Sequence, residues 1–283
     1  MEFDKKQYIE SQRHGWDSVA PAWEKWDKSL DMNMSFVNHK LIGDACIRDG
    51  HKVLDLGCGT GYPAILAAQT VGNNGSVIGL DLSEEMLKVA KRKAGELDIA
   101  NIQFQSRDIT TLPFEPASFD AVISRFCIMF LPDIQGAVNE IARVLKQGGY
   151  FSAAVWSAPN KNPFIKIPMD VLKKFIDIPT PPPGQPGLFR LSRHGDLLGM
   201  ATASGLSGIA DEEITGESNY DSPEEYFTSL KEMAAPLKPL FAKLTPEQKD
   251  EAENEINRTA SEYQKGDKIA LPMAFRIVTS QKP

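Results

Sequence analysis

The sequence predicts an open α/β sheet with helices on both faces. Three observations carry that prediction: apolar runs bounded by turn residues alternate with amphipathic helical patterns, a glycine-rich turn joins one run to the helix after it, and an aspartate ends the next run. The chain has 283 residues, 42% of them hydrophobic and 24% charged, which is enough to bury a large core in one domain with insertions.

The elements follow in order. Residues 1–45 precede the first strand and read as an N-terminal helical cap segment. His51–Leu56 is a short run rich in leucine and β-branched residues, and Tyr62–Val71 continues it with helical spacing. "SVIGLDLS" is a second strand, followed by a helix over Glu84–Leu97 whose apolar residues Met86, Leu87, Ala90, Ala94 and Leu97 share a face. "NIQFQSRD" and "FDAVISRFC" supply two more strands. "IQGAVNEIARVLKQGG" reads as a helix stopped by Gly148 and Gly149, and "YFSAAVW" is the fifth strand. Residues 46–157 thus make up the core unit.

After Trp156 the alternation breaks. "IPTPPPGQPG" is a proline-rich loop that cannot be a central strand. "SRHGDLLGMATASGL" reads as a helix and "SGIADEEITGES" as a strand. Ser222 before Pro223 is an N-cap that starts another helix, Thr245–Lys265 is a long charged helix with a solvated face, and "ALPMAFRIVTSQ" is the final strand. Residues 158–283 are assigned to the same domain, with lid insertions over 158–191 and 220–267 and the last two strands between and after them.

Charge and cysteine usage narrow the class. A net charge of −7 argues against a nucleic-acid partner, whose phosphates select basic surfaces. Cys46, Cys58 and Cys127 lie far apart and none has the spacing of a metal site, so no disulfide framework and no metal are expected. No apolar run reaches the roughly 18 residues of a membrane span, and the first residues lack the apolar segment of a leader. A cytoplasmic protein with a small-molecule partner and no membrane insertion is the expectation.

The turn itself is "VLDLGCGTGYPA". It places Gly57, Gly59 and Gly61 at the carboxyl end of the first strand, where open α/β sheets bind ligands and where a bare backbone admits close approach. The dinucleotide fingerprint GxGxxG would need a glycine where Tyr62 stands, so a pyrophosphate turn is disfavoured. Asp81 ends the second strand, a position from which a carboxylate accepts hydrogen bonds from both hydroxyls of a ribose; helix capping there suits Ser83 better. Asp108 and Ile109, after the third strand, flank a base or simply form a turn.

Taken in order and spacing, "VLDLGCGTG", "GLDLSEEML", "SRDITTLPFEPASFDAVIS" and "NEIARVLKQGG" resemble the class I S-adenosylmethionine-dependent methyltransferases, in the branch with the ubiquinone and menaquinone biosynthesis enzymes and other small-molecule methyltransferases. The resemblance covers roughly residues 51–156. It implies a Rossmann-like, seven-stranded, mostly parallel sheet whose last strand is antiparallel, and S-adenosylmethionine as cofactor. By the same resemblance Asp55, Gly57 and Gly59 hold the methionine end, Asp81 binds the ribose, Leu82 and Met86 pack nearby, and Asp108 and Ile109 border the adenine. Ser124 and Arg125 lie beside the cofactor, and Phe126 faces the substrate. The chain has "SRFC" where enzymes that methylate nucleic-acid bases or glutamine often carry a proline pair, which again favours a small acceptor.

The implied reaction is an in-line displacement of an activated methyl, so the protein mainly orients the acceptor and excludes water, with a base required only for hydroxyl or carbon nucleophiles. His14 and His194 are the candidate bases, each with a surface or capping role as the alternative. His51 belongs at the opposite sheet edge, and His39 at the surface. Trp16, Trp23 and Trp26 fall within eleven residues, and Trp23 and Trp26 are spaced for one helical face. They either pin the N-terminal helices to the sheet or build an aromatic wall over the transfer site, with Trp23, Trp26 and Phe126 as substrate contacts. The expected enzyme methylates a small apolar or aromatic metabolite. Three alternatives stand beside it: a quinone-precursor C-methyltransferase, an NAD-dependent oxidoreductase, and a non-catalytic S-adenosylmethionine-binding protein.

Overall fold

A computed structural model describes residues 3–178 and 185–283; residues 179–184 of the proline-rich stretch lie outside the described residues. Three helices open the chain, α1 (Lys5–Asp17), α2 (Ala20–Lys25) and α3 (Asp27–Asp44). The core alternates β1 (Lys52–Leu56), α4 (Tyr62–Val71), β2 (Ser76–Asp81), α5 (Glu84–Glu96), β3 (Ile102–Ser106), β4 (Phe119–Arg125), α6 (Ile134–Val144) and β5 (Leu145–Trp156). There follow α7 (Pro163–Leu172), α8 (Asp196–Ala203), β6 (Ser207–Tyr220), α9 (Pro223–Met233), α10 (Lys238–Phe241), α11 (Pro246–Ser261), β7 (Gln264–Lys265) and β8 (Lys268–Gln281).

The sheet order is β3-β2-β1-β4-β5-β8-β6, with the two-residue β7 paired to β8. Strands β1 to β5 pair in parallel, and β8 runs antiparallel to both β5 and β6. The chain order reverses between β1 and β4, which opens a crevice beyond their carboxyl ends. Alternation along the strands feeds two cores: Val53, Ala121 and Ile123 join Ala64, Ala67 and Leu87, whereas Leu54, Leu56 and Val122 join Ile141, Val144 and Leu197. Helices therefore cover both faces. A third core, with Tyr226, Phe241 and Ile256 fully or nearly buried, unites α7, α9, α10 and α11 with the start of β8 into one helical unit, which holds the segments expected to form the lid. Among the described residues no helix is long and apolar enough to cross a membrane.

Two expectations need correction. The helix before the fifth strand is not stopped by Gly148 and Gly149: it ends at Val144, and Leu145, fully buried, pairs with Phe119 to begin β5. Lys282 Nζ donates to the Ala142 and Leu145 carbonyls at 2.7 and 2.8 Å and so ends the helix from outside. The charged helix stops at Ser261, not Lys265, and Ala252, Ile256 and Ala260 turn one of its faces into the lid core. Its start is as expected, with Thr245 and Gln248 forming a reciprocal capping box.

Candidate active site

A cavity of about 330 Å³ lies at the carboxyl ends of β1, β2 and β4, roofed by α1, α2, α7 and α9. Its floor is the glycine turn. Gly57 has φ +72°, and a Cβ there would stand 2.3 Å from Cys127 Sγ, so only glycine fits. Gly59 has φ +52° with nothing within 4 Å of a built Cβ: the space above it is cavity, not protein.

Asp81 faces that space, and its two carboxylate oxygens accept from the Gly59 and Ser83 amides, each at 2.8 Å. Each oxygen keeps a second lone pair for a ligand. Burial pushes the Asp81 carboxyl upward, and the amide bonds oppose the shift. Leu82, Met86, Asp108, Ile109 and Arg125 line the same cavity. Ser83 caps α5 through a 3.1 Å bond from the Met86 amide, which leaves Asp81 free of that task. Asp108 Oδ1 accepts from the Thr110 amide at 2.9 Å, so the turn reading also holds.

Asp55 and Ser124 stand one layer back. Ser124 is fully buried, and its hydroxyl donates to the Leu56 carbonyl at 2.8 Å, tying β4 to β1 rather than lining the cavity. Asp55 is fully buried with no hydrogen-bond partner on either oxygen. Burial is the main cause that pushes its carboxyl up to about 7; Asp81 adds to it, and Arg125 and the Ala64 amide oppose without a full bond to either oxygen. Arg125 donates to Asn38 Oδ1 at 2.9 Å and sits 5.7 Å from the Tyr62 ring.

The opposite half of the cavity is aromatic. Trp16 packs edge-on against both Trp23 and Phe130, with centroids 6.1 and 5.9 Å apart. Phe126 stacks on Trp156, with centroids 4.1 Å apart and planes 5° from parallel. Phe126 has φ +53°, a left-handed conformation costly for a side chain this large, and it is held by that stacking and by its amide bond to the Ala154 carbonyl.

Besides Asp55 and Ser124, three expected contacts fall outside the cavity. Trp26 does not join Trp23, because α2 ends at Lys25 and Trp26 leaves the helical face; its indole N–H donates to Glu232 at 2.7 Å. His14 projects from α1 toward Glu10 with its side chain 75% exposed. His194 is 73% exposed beside Asp211 and Arg276, away from the cavity walls. Neither histidine reaches the site.

A methyltransferase-domain profile matches residues 47–174. A demethylmenaquinone methyltransferase of Listeria welshimeri is 33% identical over 175 residues, covering 56% of this chain and 74% of that protein. The chain belongs to the S-adenosylmethionine-dependent methyltransferases. A demethylmenaquinone methyltransferase of Staphylococcus epidermidis is 37% identical over 158 residues, covering 54% of this chain and 64% of its own. The solved structure of a Bacillus halodurans methyltransferase described as putative superposes with a TM-score of 0.59 at 19% identity, over 87% of this chain and 98% of that one. At that identity the likeness supports the fold alone.

The site of this methyltransferase also includes residues that the sequence did not single out. Trp156, Ser218 and Tyr220 line the cavity, as does Tyr8, whose phenol donates to the Phe130 carbonyl at 3.1 Å. Arg13 donates to the Leu82 carbonyl at 2.7 Å, and Asp17 accepts from Ser83 Oγ at 2.6 Å, so α1 is clamped onto the loop after β2. The signal for Trp156 was its place at the carboxyl end of a strand. For Ser218 and Tyr220 it was their two-residue spacing, which puts both on one face.

Proposed function

We propose that this methyltransferase binds S-adenosylmethionine on the strand-end half of the cavity and methylates a small, flat, largely apolar acceptor on the aromatic half. The observation that carries the reading is one continuous cavity joining Asp81 and the glycine turn to the Trp16, Trp23, Phe126 and Trp156 wall. When bound, the cofactor supplies a methyl already activated on a sulfonium.

The residues fit it. Asp81 offers a lone pair on each oxygen for the ribose hydroxyls, Gly59 leaves bare backbone toward the cavity, and Asp108 and Ile109 stand where the base would lie. Leu82 and Met86 supply apolar contact. Asp55 acts through its field from behind the turn, where its orphaned oxygens favour an ammonium at the methionine end, and Arg125 offers its guanidinium at the same place.

Trp23 and Phe126 pack the acceptor and exclude water. Among the described residues no histidine or glutamate lines the cavity, so any base that a ring-carbon or hydroxyl acceptor needs is not an imidazole. The activity named for the Listeria and Staphylococcus relatives favours a quinone-precursor ring. The three unpaired cysteines fit a reducing compartment, and we place the enzyme in the cytoplasm. Calorimetry with S-adenosylhomocysteine, then turnover of labelled cofactor across flat ring acceptors and matched aliphatic ones, tests the reading. Binding with turnover only of aliphatic acceptors overturns the aromatic assignment.

A further inference from the structure

The lid end of the cavity carries a polar pair that the cofactor does not need, and its role rests on the proposed placement of cofactor and acceptor. Ser218 and Tyr220 leave the end of β6 on one face, and both line the cavity with Ser229 of α9. Ser218 Oγ and Tyr220 Oη lie 2.9 Å apart. Two hydroxyls carry two protons and share one hydrogen bond, and the remaining proton has only the neighbouring Ser229 hydroxyl to meet, so a ligand oxygen in the cavity can take it. Ser229 Oγ already donates to the Tyr226 carbonyl at 2.8 Å.

The pair is held from behind. Asn33, buried on α3, brackets the main chain of Asn219 between the two hydroxyl residues, accepting from its amide at 2.8 Å and donating to its carbonyl at 3.2 Å. Tyr226 packs its ring 5.2 Å from Tyr220 and donates to the Phe164 carbonyl at 2.7 Å, which fixes α9 against α7. A donor so positioned discriminates between acceptors, because a partner lacking the matching atom forgoes the hydrogen bond that a matching one gains.

Charge at this end decides what the atom is. The charged lining residues Asp81, Arg107, Asp108 and Arg125 belong to strand ends or to the loops after them. Beside Tyr220, Glu217 is paired with Lys265, Asp221 with Lys268, and Glu225 accepts from the Asp221 amide. Among the described residues no unpaired cation stands there to hold an anion, and Glu225 repels one. Burial, with Glu225 acting in the same direction, keeps the phenol protonated.

We infer that Ser218 and Tyr220 form a specificity-determining subsite that donates a hydrogen bond to a neutral carbonyl or hydroxyl oxygen of the acceptor. The acceptor is then an apolar ring body bearing an uncharged oxygen, and that oxygen fixes which ring position is presented for transfer.

Equilibrium dialysis of 1-naphthol, naphthalene and 1-naphthoate against the full chain saturated with S-adenosylhomocysteine tests it. The wild type is expected to bind 1-naphthol about tenfold more tightly than either other probe. Tyr220→Phe combined with Ser218→Ala is expected to bring 1-naphthol within about twofold of naphthalene, with naphthalene and S-adenosylhomocysteine affinities unchanged. Should the double variant not fold, Tyr220→Phe alone keeps the ring and reads the same ratio. A naphthol preference that survives the substitutions, or naphthoate binding tightest, overturns the subsite. A wild type that takes up no S-adenosylhomocysteine overturns the cofactor placement instead.

Discussion

The two halves of the cavity are built in different ways. The strand-end half comes from consecutive short motifs: a turn within "VLDLGCGTG", an aspartate at the end of the next strand, and a loop after the third. Its shape is set mainly by backbone, with Gly57 and Gly59 at positive φ and two amides fixed on Asp81. The lid half is assembled by side chains from α1, α2, β5, α7, β6 and α9, which are distant in sequence. On the proposed reading, the backbone cradle meets the cofactor, the part of the reaction that never changes, and the side-chain mosaic meets the acceptor, the part that does. Damage to the first half is expected to cost binding outright, and damage to the second to alter which acceptor is used.

The largest effect is expected at the floor. Gly57→Val combines a positive φ with a Cβ that would stand 2.3 Å from Cys127 Sγ, in a place with no room to yield. A loss of more than about 3 kcal/mol of stability follows from strain and overpacking together. Thermal unfolding would show it, and a variant that melts like the wild type removes the rigid-floor half of the comparison.

Asp81→Ala comes next. It strips the acceptors from two amides and the proposed partner from the ribose, and is expected to weaken S-adenosylhomocysteine binding by about 1.5–3 kcal/mol. Unchanged affinity by calorimetry would sink the ribose assignment.

Asp55 adds pH to the contrast. Its folded carboxyl titrates at about 7, well above the ordinary carboxylate range. The native state therefore holds a proton that the unfolded chain has lost, and stability from this group is present in acid and lost as pH rises through about 7. Asp55→Asn is expected to stabilise the ligand-free protein at pH 8 by roughly 2 kcal/mol relative to wild type. The same change is expected to weaken cofactor binding and reduce its pH dependence, leaving the part due to Asp81. In the wild type, an ammonium bound nearby releases the proton, so affinity rises between about pH 5 and 7. Calorimetry in buffers of differing ionisation heat counts that proton, and none released at pH 6 argues against a charge role for Asp55.

The contrast also explains what could be read from the sequence. The succession of strands and helices and the place of Asp81 were legible because each follows from a local period plus the rule that ligands sit at strand carboxyl ends, whereas the final antiparallel strand was legible through the family resemblance alone. The two-residue alternation of β4 points Ser124 away from the cavity, yet nothing local says that its hydroxyl is taken by the Leu56 carbonyl. The pairing of Phe126 with Trp156 joins positions thirty residues apart through the β4–β5 register, which periodicity does not reveal. The same holds for Tyr220, whose role depends on α9 folding back over β6.

The smallest effect is expected at Trp26, and it tests where the lid half ends. Spacing placed Trp26 beside Trp23, yet α2 stops one residue earlier, and the indole turns to Glu232 and to the Lys25 ammonium, 5.1 Å from its ring. Trp26→Phe removes one charge-assisted hydrogen bond at a half-exposed site and keeps the ring, which implies a loss of about 0.5–1 kcal/mol in stability. Because Trp26 does not line the cavity, kcat/KM for any acceptor should be unchanged, whereas Trp23→Ala should lower it with cofactor affinity intact. If Trp26→Phe lowers kcat/KM as Trp23→Ala does, the aromatic wall extends beyond α2. The lid would then move between the ligand-free and loaded states by enough to bring the helix boundary into the site.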